Sequence, residues 1–294
     1  MATVEDVPHR GSHPHPHPYR GRTAVLATRH GKLPLVGPPL TSAVGLEVVE
    51  AAVDTDALGT FTGEVPRALP PLETAVAKAR LGMAATGCAL GLASEGSIGP
   101  DQQLPVLLAD TEIVVLVDAA EDVVLWDSAH SFDIVAGSTS TAPGEDLTGF
   151  LARVDFPSHH LIVRAEGGSP EPVVKGIRDR ESLERAIAAC AGASPVGRAE
   201  VQSDLRAHCC PSRRPTIVRA AERLAARLRA RCPRCAAPGW GVTGQVLGLP
   251  CARCCREVPE VRAETHGCVR CGHEMTVPTG AGVADPSICP TCNP

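Results

Sequence analysis

The chain has 294 residues, a formal charge of −5 and 44% hydrophobic side chains. That length suits a main domain plus an appendage, and the seven aromatic residues are too few for the core, which must rest on Ala, Val and Leu. Residues 201–294 carry 13 basic and 7 acidic groups, a formal +6, against −11 for residues 1–200. The most apolar stretch, residues 104–126, is interrupted by acids, which excludes a membrane span there; with no signal-peptide core at the start, the expected location is cytoplasmic.

Residues 1–22, MATVEDVPHRGSHPHPHPYRGR, are almost devoid of apolar side chains and read as a disordered tail. Their HPHPHP run is a weak nickel, copper or zinc ligand at best. From residue 23 strand and helix patterns alternate. TAVLAT reads as a buried strand ending in the loop RHGK, and GLEVVEA as a second strand. ETAVAKARLGMAAT has helical spacing and CALGLAS follows as a buried strand. EIVVLVDAAEDVVLWD predicts a hairpin around its acidic turn. GEDLTGFLARV and RDRESLERAIAACAG predict helices, the second capped by Asp179, and HLIVRAE, PVVKGI and RAEVQSDL predict strands. The alternation predicts an α/β domain with a mixed sheet over residues 23–214. PTIVRAAERLAARLRAR, residues 215–231, predicts a connecting helix. Ile217, Ala221, Leu224 and Leu228 share one face, and Arg219, Arg223, Arg227 and Arg231 another.

Eight of the 13 cysteines form four CxxC pairs: Cys232/Cys235, Cys251/Cys254, Cys268/Cys271 and Cys289/Cys292. Two pairs supply four thiolates and close a tetrahedral site, so residues 232–294 are expected to be a zinc-ribbon region holding two structural zinc ions. Pairing in sequence order, first with second and third with fourth, is favoured over a brace joining first with third. Cys255, His266 and His273 read as spare neighbours of the ligands. Two zinc ions on eight thiolates would bring the tail to about +2, which weakens an inference from its basic residues to nucleic acid.

DLRAHCCPSRRPTIV, residues 204–218, admits three readings: a third metal site at His208, Cys209 and Cys210, a cysteine nucleophile, or a helix start that grips an anion. Adjacent cysteines point apart, and no oxyanion motif accompanies them. Pro215 suits a first helical turn, Ser212 or Arg214 can cap it, and Arg206, Arg213 and Arg214 gather at its positive end, which favours the anion. Ser158-His159-His160 precedes a strand and lacks the elbow motif of a Ser-His-Asp hydrolase.

ATRHGK, DTDALGTFTGE, AKARLGM, LASEGSIGP, SDLRAH and the terminal CxxC pairs resemble an uncharacterised bacterial family, a domain of unknown function with C-terminal zinc ribbons. The resemblance spans residues 23–294, implies no activity, and departs at Cys209-Cys210. At motif level the chain is also similar to inosine and xanthosine triphosphate pyrophosphatases. Thr28-Arg29-His30-Gly31-Lys32 stands for T-x-N-x-x-K, one residue short, and Glu73 to Arg80 for E-N-A-x-x-K-A-R. Ser94-Glu95-Gly96-Ser97 stands for an acidic turn, and Arg206–Arg214 for a terminal S-H-R. This likeness implies Lys32, Glu73, Lys78 and Glu95 as catalytic residues, with Glu73 and Glu95 on a magnesium ion. It implies Thr28, His30, Arg206, Arg213 and Arg214 as binders of a nucleotide or other phosphorylated small molecule. DTDALGTFTGE, residues 54–64, would wall the cleft. The competing reading is a non-catalytic module whose ribbons bind nucleic acid or a protein, with no membrane contact in either case.

Overall fold

The structure, a computed structural model, describes residues 16–55, 69–167 and 172–294. The first three residues of the HPHPHP run and residues 56–64 of the expected cleft wall lie outside the described residues. Strands β1 (Thr23–Ala27), β2 (Glu47–Ala51), β3 (Leu90–Pro100), β4 (Leu108–Asp118) and β5 (Val123–Ser131) form a mixed sheet in the order β2-β1-β3-β4-β5. β1 runs parallel to β2 and β3, whereas β3, β4 and β5 form an antiparallel meander. Side chains alternate between faces. Leu26, Leu92, Leu116 and Leu125 pack under α1 (Leu33–Val44) and α5 (Arg214–Arg229). Ala93, Val115 and Val117 pack under α2 (Pro71–Thr86) on the other face. The fold is therefore α/β with helices on both sides of a mixed sheet.

Three findings depart from the sequence patterns. α1 has no counterpart among them, because Pro38 and Pro39 lie inside it and each proline removes a helical N–H. The helix persists because Val36, Leu40 and Val44 are buried, joining a core that also holds Ile217, Ala221 and Leu224 of α5. Ser94–Ser97, expected as a turn, is the middle of β3. Residues 16–22 pack onto the body: Tyr19 is 2% exposed and Arg22 pairs with Asp118 at 3.1 Å.

Residues 138–203 are inserted between β5 and α5 and build a second sheet of their own. β6 (Ser138–Thr141), β7 (Leu161–Ala165), β8 (Val173–Ile177) and β9 (Ala199–Ser203) are ordered β6-β9-β7-β8, all antiparallel. Helices α3 (Thr148–Arg153) and α4 (Arg180–Ala193) cover it, with Phe150, Leu161, Leu183, Ile187 and Val201 at its core. Asp179 caps α4, its carboxylate accepting the Ser182 N–H at 2.8 Å.

α5 belongs to the core of the first unit rather than spanning a gap: Ile217, Ala221, Leu224 and Leu228 are all 0% exposed. Beyond it, β10 (Gly241–Pro250), β11 (Glu257–Gly267) and β12 (Glu274–Pro278) form an antiparallel three-stranded sheet. Arg227 fastens this sheet to the body, donating to Trp126 O at 2.8 Å and Gly239 O at 3.2 Å. Arg270 adds an ion pair with Glu121 at 3.1 Å. Among the described residues no helix is long and apolar enough to cross a membrane.

Candidate functional site

The eight cysteines gather into two groups, but not in the sequential pairing. Cys232 and Cys235 meet Cys268 and Cys271, while Cys251 and Cys254 meet Cys289 and Cys292. The correction follows from strand length. Cys235 precedes β10 and Cys251 follows it, and a ten-residue strand carries the chain roughly 30 Å, so the first two pairs sit at opposite ends of the hairpin. β11 returns the chain to the first end, where Cys268 closes the first site. Sγ–Sγ separations of 3.8 and 3.7 Å occur in one group and of 3.9 and 3.6 Å in the other. Zinc–sulfur bonds of about 2.3 Å put the edge of a thiolate tetrahedron at about 3.8 Å. Each group can therefore hold a zinc ion, and four ligands leave it no open position. Cys255 is exposed at a φ of 59°, matching Ala236 at 57° and Gly272 at 66°. All three directly follow the second cysteine of a knuckle and turn the chain away.

A second cluster is buried where β1 ends. β1 pairs with β3 only as far as Ala93, so the rest of β3 runs on past the end of β1. α1 and α2 lie on opposite faces there, which makes it a topological switch point, the usual ligand crevice of open α/β sheets. Lys32, which begins α1, donates to Ser94 O at 3.1 Å and to Ser94 Oγ at 3.2 Å. From the α2 side, Lys78 pairs with Glu95 Oε2 at 2.7 Å. From the start of α5, Arg213 pairs with Glu112 of β4, Nε to Oε1 being 2.8 Å, and also donates to Leu205 O. Gly96 makes room for this pair, since a Cβ there would lie 2.6 Å from Glu112 Oε1. Asp110 is 0% exposed and, among the described residues, neither carboxylate oxygen has a well-aligned hydrogen-bond partner, though Thr216 and Glu112 lie beside it. Burial, with Glu112 beside it, pushes its carboxyl up to about 7. Lys32 makes no ion pair with a carboxylate among the described residues, and desolvation holds its ammonium down to about 8 although Glu112 and Glu95 act against it.

Above this floor the other expected binding residues form a rim. Thr28 Oγ1 accepts the His30 N–H at 3.3 Å, and the His30 ring stacks on His208 at 5.3 Å. Arg206 is paired with Asp204, and Arg214 holds Ala207 O and His208 O at 3.3 and 3.1 Å. His208 is shifted down, first by desolvation and then by Arg206; His160 is shifted down by desolvation, with Arg178, Arg206 and Arg214 adding to it against Asp204. Arg178 and Arg214 add positive charge there, whereas Arg206 is offset by Asp204. Lys32, Lys78, Glu95 and Arg213 are thus brought together, with Thr28, His30, Arg206 and Arg214 at the edge. Glu73 is exposed in the first turn of α2.

The sequence reading missed Asp110 and Glu112, whose partner Arg213 lies a hundred residues downstream. It also missed a relay in which Asp155 meets His159 Nδ1 at 3.2 Å and Ser212 Oγ meets Nε2 at 3.0 Å. Ser212 Oγ also takes the Val135 N–H at 3.1 Å, so the relay pins three segments at the start of α5. Cys209 and Cys210 are buried beside it, burial pushing the Cys209 thiol up to about 12, which keeps it a thiol at neutral pH.

No curated protein matches the chain. A family model described as a domain of unknown function, DUF6671, matches residues 78–294, taking in Lys78, Glu95, Arg213 and all eight paired cysteines, and the chain belongs to that uncharacterised family.

Proposed function

We propose that the crevice between β1 and β3 binds the phosphate groups of a nucleotide-like substrate and hydrolyses it with magnesium. The observation that supports this reading is Lys32, a buried ammonium that makes no ion pair with a carboxylate among the described residues, beneath a rim of histidines and arginines. An anion in the crevice would give Lys32 a charged partner. Magnesium enters with the phosphates, as it does where one or two carboxylates share it with a substrate, and Glu95 is the carboxylate expected to reach it. Water adds to phosphorus and loses a proton to solvent, the P–O bond to the departing phosphate breaks, and Lys32 and Lys78 offset the charge that moves onto the leaving oxygen. The test is phosphate and pyrophosphate release from standard, inosine and xanthosine triphosphates by zinc-loaded protein with Mg²⁺. Turnover lost in Lys32→Met, with folding intact, is expected. A silent panel, or a Lys32→Met variant as active as the parent, overturns the reading.

A further inference from the structure

The chain has only two tryptophans, and both line one cleft at the far end of α5 from the crevice. About 550 Å³ in volume, it lies between the outer edge of β5 and the outer edge of β10, with Trp126, Asp127, Arg223, Arg227, Trp240 and His266 among its walls. Arg213 and Arg227 are fourteen residues apart, so α5 separates the two places by about 20 Å.

The occupant can be narrowed by what the cleft has left to offer. Two unpaired strand edges would suit an added peptide strand, but the β5 edge is already spoken for. Trp126 O takes Arg227 Nη1 at 2.8 Å, and the Ser128 N–H is capped by the Asp127 carboxylate at 2.8 Å. What remains is aromatic surface and guanidinium. Trp126 is 36% exposed, and Trp240 extends into a row of rings, stacked on His273 at 5.5 Å and 6.1 Å from His266. Arg223 sits at the cleft, its Nε paired with Asp127 Oδ1 at 3.0 Å and its side chain still 65% exposed, and Arg219 is exposed one turn before it on α5. Flat rings beside a row of arginines are the combination that binds single strands, bases on the rings and phosphates on the cations.

We propose that this cleft is a binding site for single-stranded nucleic acid, bases stacking on Trp126 and Trp240 while Arg219 and Arg223 hold the backbone. Because every tryptophan of the chain lies here, its intrinsic fluorescence reads the site directly. Zinc-loaded full-length protein is titrated with a twelve-nucleotide oligo(dT), an oligo(U) of equal length, a duplex of the same length, and a strand-forming peptide, at several salt concentrations. Both single strands should quench the fluorescence, more weakly as salt rises. Trp126→Leu should weaken binding about tenfold, and Arg223→Ala should lower the salt slope by about one. Lys32→Met should bind as the parent does, which separates this site from the crevice. The proposal is overturned by any of three results: no quenching at low salt, equal affinity for duplex or peptide, or Trp126→Leu and Arg223→Ala variants that keep their zinc and bind unchanged.

Discussion

Arg213→Met offers the sharpest test of the buried charge cluster. Arg213 and Glu112 are both 0% exposed, and among the described residues neither the second oxygen of Glu112 nor the carboxylate of Asp110 beside it has a well-aligned hydrogen-bond partner. Removing the guanidinium alone leaves Glu112 charged in a dry site, which costs about 3–5 kcal/mol when one member of a buried pair is lost. At roughly 2–4 °C per kcal/mol for a body of this size, melting should fall by about 10 °C. Replacing both members with apolar groups of similar volume is often neutral, so Arg213→Met with Glu112→Met should recover most of that loss. Thermal unfolding of zinc-loaded parent, single variants and double variant, followed by circular dichroism at pH 7.5, measures the coupling. If Arg213→Met melts within about 2 °C of the parent, the pair carries little of the stability. If the double variant is no better than the worse single, the damage is packing and not charge.

Two further predictions concern other sites. Asp110 titrates near 7 in the folded chain and near 3.9 unfolded, so the native state holds the proton more tightly and stability falls as pH rises from about 4 to about 7. Asp110→Asn abolishes that titration: its stability relative to the parent should grow across this window, by roughly 3–4 kcal/mol in denaturant unfolding, and a pH-independent difference would count against the assignment. For the metal sites, Cys232→Ser combined with Cys268→Ser should still leave one tightly held zinc by native mass spectrometry, whereas Cys232→Ser with Cys251→Ser should leave none. Pairing in sequence order requires the opposite.

Much of this architecture is legible in the chain because it depends on local patterns. The β4–β5 hairpin follows from two apolar runs around an acidic turn, α4 from its Asp179 cap, and α5 from the spacing of Ile217, Ala221, Leu224 and Leu228. What stays hidden depends on distance along the chain. Nothing near Glu112 announces that Arg213 will cover it, and nothing near His159 announces Ser212. α1 is concealed because Pro38 and Pro39 locally contradict a helix that tertiary burial of Val36 and Leu40 sustains. The second sheet is concealed because its strands look like continuations of the first. The identities of the metal ligands are plain, since each knuckle is a local motif, but their partnership is decided by how far a strand carries the chain.

That interleaving also sets a timetable for synthesis. Pairing in sequence order would let a ribosome-bound chain cage its first metal once Cys254 had been made. Here the first group is incomplete until Cys271, and the second until Cys292. By then α5 and every strand of the body have already left the ribosome, and β10 and β11 must have found one another across their whole length before Cys268 can reach Cys232. Metal capture therefore follows the making of the body, and a nascent chain that stalls before Cys268 carries four thiolates in two half-sites a strand's length apart, open to oxidation or to the wrong ion.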